Sequence, residues 1–220
     1  MESLTRKLSP GQRAISCAEM GLAIALVLAH NVYRATPNEV PLLLVLALIS
    51  FRVREGRWLA GRYTQPKSWP WTIGLSIACV CLLELKDLIV EPIGRHFWPA
   101  PEHVSSIISG ARNPAHVMLS LLFVWAFAGF AEEIGYRGYL FRRAIDVFGP
   151  SAWGTGAALL ISSIAFGFGH FYKGPAGILD STGSGLVLGG LYLYTRSLWA
   201  SSLGHALNDT LAVVLNYLAV

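Results

Sequence analysis

Apolar runs of membrane-spanning length dominate this chain and fix what it can fold into. They lie at about 14–33, 39–53, 69–90, 114–140, 153–172, 177–195 and 198–219. A run of about 20 apolar residues crosses ~30 Å of hydrocarbon. Backbone groups there have no water to bond, so such runs form helices. The expected fold is an all-α, polytopic transmembrane bundle of about seven spans. The second run is short and the sixth is interrupted by Asp180 and a Ser/Thr/Gly patch, which brackets the count at six to eight. Composition agrees. Hydrophobic residues make up 54% of the 220, only 14% are charged, and mean hydropathy is +0.51. A soluble chain of this size cannot hide that much apolar surface. Disorder and disulfide scaffolds are excluded by the same figures. Cys17, Cys79 and Cys81 all sit in apolar runs and read as small hydrophobes of the bundle.

The placement of the basic residues gives an orientation. With the N-terminus cytoplasmic, Arg6, Lys7, Arg13, Arg52, Arg54, Arg57, Arg62, Lys67, Arg137, Arg142, Arg143 and Arg196 fall on the inner side. Arg34, Arg95, Arg112 and Lys173 fall on the outer side. That asymmetry follows the positive-inside rule. It accounts for the net charge of +4 through topology and lipid headgroups, with no call for nucleic acid. The first run lacks a small-residue cleavage site before His30 and Asn31 and reads as a retained anchor. No repeat or soluble domain is visible. The division expected is 1–110 as N-terminal transmembrane helices and 111–220 as a functional core.

Ionisable groups inside a membrane are costly, and each asks for an explanation. Glu84, Lys86, Asp87 and Glu91 read as the amphipathic outer end of the third span, with side chains reaching the headgroups. The second half differs in kind. The fourth span carries Glu132, Glu133 and Arg137. The fifth ends in AFGFGHF, with Phe166 one helical turn before His170. The seventh carries His205, Asn208 and Asp209 within LGHALNDTLAVV.

Helix geometry tests whether these groups meet. Gly149, Pro150 and Ser151 mark a turn. Glu132 and His170 lie equally far from Ser151 in sequence, each ~28 Å along a helix, so an antiparallel hairpin sets them level. His205 is only ~12 Å past the last turn. For all three to share a depth, the segment FRRAIDVFGPSAWGT must project ~15 Å into the cytoplasm. The fifth helix would then stop inside the membrane after His170, with irregular backbone through GPAGILDSTGSG lining a cytoplasm-facing cavity. Glu133 and Arg137, at i,i+4, are spaced to pair. Glu132 lies about 100° away around the helix and stays outside that pair.

The strings EEIGYR, FGFGH and HALND resemble the motifs EExxxR, FxxxH and Hxxx(N/D) of the CAAX protease and bacteriocin-processing (CPBP, or Abi) family, which includes the Rce1-like prenyl-protein endopeptidases. The resemblance covers about 114–212 and rests on the ordered set, one motif on each of three polar spans. It implies an intramembrane endopeptidase of the glutamic type, possessing a glutamate-activated water. By that resemblance Glu132 is the general base, His170 helps hold the water, and His205 and Asp209 face the oxyanion. Glu133, Arg137, Phe166 and Asn208 are supporting members. Asp209 donates a hydrogen bond only when protonated, so orienting His205 or binding a cation stands as its alternative role.

Two histidines with carboxylates could hold a divalent metal ion, and glutamate with histidine could work without one. The metal question stays open, and no cofactor is assigned. No HExxH is present, which excludes a helix-borne zinc pair of that type. A serine protease built on Ser184 and His205 would leave Glu132 and His170 idle. The non-catalytic alternative is a membrane binding or bacteriocin-immunity protein of the same family. The partners implied are the lipid bilayer and a membrane-associated protein or peptide cleaved near its end. The short, loop-poor chain points to a prokaryotic inner membrane. Gly183, Gly185, Gly189 and Gly190 would permit close helix packing.

Overall fold

The computed structural model describes residues 8–59, 63, 66, 68–98 and 113–218. Arg6, Lys7, Arg62, Lys67 and Arg112, all used in the orientation argument, lie outside these residues, as does the expected division at 110/111. Every described regular element is helical: α1 (Pro10–Asn31), α2 (Glu39–Glu55), α3 (Trp69–Phe97), α4 (Pro114–Phe148), α5 (Ala152–Gly169), α6 (Gly174–Thr195) and α7 (Leu198–Leu218). A single 3-10 turn, Phe171–Lys173, joins α5 to α6.

The helix starts follow from capping chemistry. Ser9 and Gln12 form a reciprocal capping box with Pro10 in the first turn of α1. Asn38, Ser68, Asn113 and Ser151 each accept a backbone N–H from the first turn of the helix that follows. Among the described residues, α1, α4 and α5 are long and apolar enough to cross a bilayer. The protein is an integral membrane protein built of helices.

The second half of α4 is the central post. From Ala131 to Asp146 every residue except Glu132 is buried. Ala23 and Val27 of α1, Leu43, Ala47 and Phe51 of α2, Ala158 and Phe166 of α5 and Leu198 of α7 pack around it in one apolar core. The first half of α4 exposes Met118, Leu119, Leu122 and Phe123, and α3 exposes Ile73, Ile77, Leu85 and Leu88. Such outward apolar faces suit lipid.

α4 is not uniformly wound. Val124–Glu132 and Ile134–Leu140 run in wide i→i+5 turns, a geometry found mostly as short interruptions of α-helices at functional places. Its far end is not solvated as its charges suggest. In Phe141–Phe148, Arg142, Arg143 and Asp146 are at most 9% exposed, while the turn beyond them at 150–153 is exposed. Arg143 bonds Asp146 at 2.6 Å and Glu55 at 3.2 Å, Arg54 bonds Glu19 at 2.6 Å, and Ser16 donates to Asp146. These charges are spent on one another across α1, α2 and α4, and so are withdrawn from the headgroups. Arg137, also counted with the inner-surface cations, is 1% exposed.

Two further expectations change. The irregular backbone after His170 is confined to the 3-10 turn, because α6 runs helically from Gly174 through the Ser/Thr/Gly patch. Lys86 does not reach for headgroups: its Nζ bonds the backbone oxygen and carboxylate of Asp180 and, at 2.9 Å, Ser184 Oγ. The close packing expected at the α6 glycines is met within the chain at Gly183, Gly185 and Gly189, where a Cβ would meet Lys86, Ser163 and Leu159, while Gly190 faces open space. A hollow of about 460 Å³ lies at the start of α1, lined by Arg13, Cys17 and Val147 among others, not at the motif residues.

Candidate active site

Three helices bring the motif residues together around the ring of Phe166. That ring lies 4.8 Å from His170, 5.6 Å from His205 and 5.2 Å from Tyr136, centroid to centroid. The Arg137 guanidinium carbon sits 4.3 Å from its centroid, a cation–π contact. Phe166 therefore separates and spaces the polar groups of α4, α5 and α7.

Glu133 and Arg137 pair as their spacing predicts, with Arg137 Nη1 2.7 Å from Glu133 Oε1. Both are essentially inaccessible to water. The same carboxylate oxygen is 3.0 Å from His205 Nδ1. A carboxylate only accepts, so Nδ1 carries the proton and donates. Glu133 thus ties α4 to α7, a link no spacing rule within one helix could reveal. His205 Nε2 lies 3.8 Å from Asp209, one turn along α7. That contact fits the orienting alternative for Asp209.

Glu132 behaves differently from its neighbour. It is partly exposed, makes no hydrogen bond among the described residues, and has Oε2 sealed from water. Its charged neighbours are His205, Asp209, Arg137 and Glu133. An open watery cavity is thus not what surrounds its inner oxygen. Asn208 is partly buried, with Oδ1 also lacking a partner.

His170 caps α5, and its Nδ1 lies 3.0 Å from the Phe166 carbonyl oxygen. The carbonyl can only accept, so Nδ1 is the donor and the neutral ring keeps a lone pair on Nε2. Such a ring can take a hydrogen bond from water. Ser184 is engaged elsewhere, accepting from Lys86 and donating to the Asp180 carbonyl, which leaves nothing to support it as a nucleophile. Among the described residues no three His, Cys, Asp or Glu side chains are grouped to hold a metal ion. The donors do not fit a divalent cation, and no step below is routed through one.

Close packing sets the α4–α7 geometry. A Cβ on Gly129 would lie 2.6 Å from the Ala206 Cβ, so only glycine lets the helices approach this far. Two further groups line the site outside the fixed positions of the three motifs. Tyr63 stacks on Phe130 and bonds Ser202 at 2.7 Å. Tyr136, inside EEIGYR, is 1% exposed and packs edge-on against Phe166.

No curated protein and no solved structure matches the chain. Residues 114–211, somewhat under half of it, match the family model described as type II CAAX prenyl endopeptidase Rce1-like. The matched segment opens at the start of α4, closes within α7, and contains all three motif strings. Over these residues the protein is similar to the Rce1-like CAAX prenyl endopeptidases, a family of proteases.

Proposed function

We propose that the protein is an intramembrane endopeptidase of the glutamic type, cleaving a peptide bond near the end of a membrane-associated protein or peptide. The observation that carries this reading is the division of labour between adjacent glutamates. Glu133 is committed to Arg137 and His205, whereas Glu132 makes no hydrogen bond. A carboxylate free of other bonds, with a histidine on a neighbouring helix that keeps an open Nε2, is what activation of water requires.

Glu132 removes a proton from a water held by His170 Nε2, and the oxygen attacks the scissile carbonyl carbon. The carbonyl electron pair moves onto its oxygen, which faces His205 and Asp209. With the His205 ring doubly protonated between Glu133 and Asp209, its Nδ1–H is held by Glu133 and its Nε2–H donates to the oxyanion; such donors are worth several kcal/mol in a water-poor site. Collapse breaks the C–N bond as Glu132 returns its proton to the leaving nitrogen. Seven spans with a cytoplasmic N-terminus, in a prokaryotic inner membrane, complete the reading, with 111–220 carrying the chemistry.

The test compares protein termini in cells expressing wild type or Glu132→Ala. New termini present only with the wild type are expected. Identical termini, with both proteins inserted equally well, would turn the reading to a binding or immunity role.

A further inference from the structure

The segment matched to the family begins at 114, yet one buried acid from α2 reaches the same site. Glu39 is 4% exposed and its Oε2 makes no hydrogen bond. Its closest basic group is His30 Nε2, 3.7 Å away. An acid in the first turn of a helix favours the helix dipole and ordinarily sits in water. Asn38 already caps α2 through the Val40 N–H. Burying a carboxylate costs several kcal/mol unless other interactions compensate, so helix capping does not explain its placement.

What it faces is the residue before His170. A Cβ built on Gly169 would lie 2.7 Å from the Tyr136 hydroxyl oxygen and 3.3 Å from Glu39 Oε1. Both oxygens therefore occupy the space that any other side chain at 169 would fill. Tyr136 lies four residues beyond Glu132 on α4, and Glu39 and Glu132 are both its charged neighbours. The Tyr136 ring packs against Phe166, whose carbonyl receives the His170 Nδ1–H. The chain of contacts runs from Glu39 to the ring that leaves Nε2 open.

We propose that Glu39 is a positioning residue of the site: with the Tyr136 hydroxyl it brackets the Gly169 backbone and holds the His170 ring in its Nδ1–H form. This rests on the reading of His170 as the residue that holds the water. Glu39 touches neither water nor substrate and acts only through Tyr136 and His170.

The experiment uses the full chain in detergent micelles, labelled with 15N histidine, the His170 signals being identified by their loss in His170→Asn. Ring nitrogen shifts report the tautomer whether or not proteolysis is detected. The wild type is expected to show one Nδ1–H tautomer. Glu39→Leu should mix the tautomers and, on a substrate found by the termini comparison, lower kcat about 100-fold at near-constant KM, as for a ~1 Å misplacement. Glu39→Gln keeps the shape and an acceptor and should restore both readouts. Gly169→Ala should reproduce Glu39→Leu, and it carries the test alone should Glu39→Leu fail to insert. An unchanged His170 spectrum in Gly169→Ala or in inserted Glu39→Leu overturns the proposal, even where the melting temperature falls. Mixed tautomers in the wild type overturn it together with the water-holding role. A single wild-type tautomer, lost in the variants but without any proteolysis, supports Glu39's role and removes the proposed function.

Discussion

Substituting Gly129 by alanine tests whether the α4–α7 approach builds the site. The new Cβ would lie 2.6 Å from the Ala206 Cβ and 3.3 Å from both the Ala206 Cα and the Ser202 carbonyl oxygen. Carbon atoms pack at about 3.5–4.0 Å, so the helices must part by about 1 Å. Ala206 follows His205 directly, and the same movement stretches the 3.0 Å His205–Glu133 bond beyond the ordinary hydrogen-bond range of about 3.2 Å. Overpacking costs about 1–3 kcal/mol and the loosened charge-assisted bond about 1.5–3, offset by about 1 from alanine's better helix propensity. The net expectation is about 1.5–5 kcal/mol, or roughly 3–20 °C in Tm for a chain of this length. Thermal melts in detergent, followed by circular dichroism, measure it. Gly129→Ala/Ala206→Gly removes the 2.6 Å contact and leaves only the two of 3.3 Å, while the two propensity changes cancel, and should return to within about 1 kcal/mol of wild type. A single variant as stable as wild type, or a double variant no better than the single, would refute the reasoning.

Other perturbations separate chemistry from architecture. Glu132→Gln should abolish proteolysis with an unchanged Tm, because that carboxylate makes no hydrogen bond; a large Tm loss would mean it is structural. Glu133→Leu should cost about 3–5 kcal/mol by stranding the Arg137 cation in the core, and adding Arg137→Met should recover part of it, a comparison read from denaturation in mixed micelles. Burial is the main influence holding the Tyr63 phenol protonated well above its usual range. Its contribution to stability is whole below pH ~10, where unfolded tyrosine titrates, and declines above it. Tyr63→Phe should flatten that alkaline loss while giving up the Ser202 bond, worth about 1 kcal/mol. Cysteines replacing Glu132 and His170 should join through a short bifunctional reagent; failure in an inserted protein would break the level placement of the two.

What the sequence reveals here is what local spacing controls. The Glu133–Arg137 pair, the end of α5 at Gly169 and the near-coincidence of α7 with its apolar run all follow from helix periodicity and breaker residues. Long-range partners decide the rest. FRRAID looks solvated because its charges are dense, yet Arg143 and Asp146 find Glu55 and Ser16 far away in the chain. The α6 patch looks irregular because glycine and serine are poor helix formers, yet Lys86 secures Asp180 and Ser184 from α3. Glu39 resembles a routine first-turn acid, and only the approach of α5 gives it another context.

The wide turns of α4 bear on how its length can vary. A stretch wound i→i+5 holds more residues per turn than an α-helix, so it contains residues the α-helical path does not need. Removing one residue from Val124–Ala131 can be absorbed by tightening to ordinary turns, with Trp125 still able to bond Thr210 and Glu133 still aimed at His205. The same deletion in the tightly wound Phe141–Phe148 has no slack to draw on and swings one side by about 100°. That would tear Arg143 and Asp146 from their partners on α1 and α2. Deletions in this helix are thus tolerated unequally along its axis, most readily just upstream of Glu132.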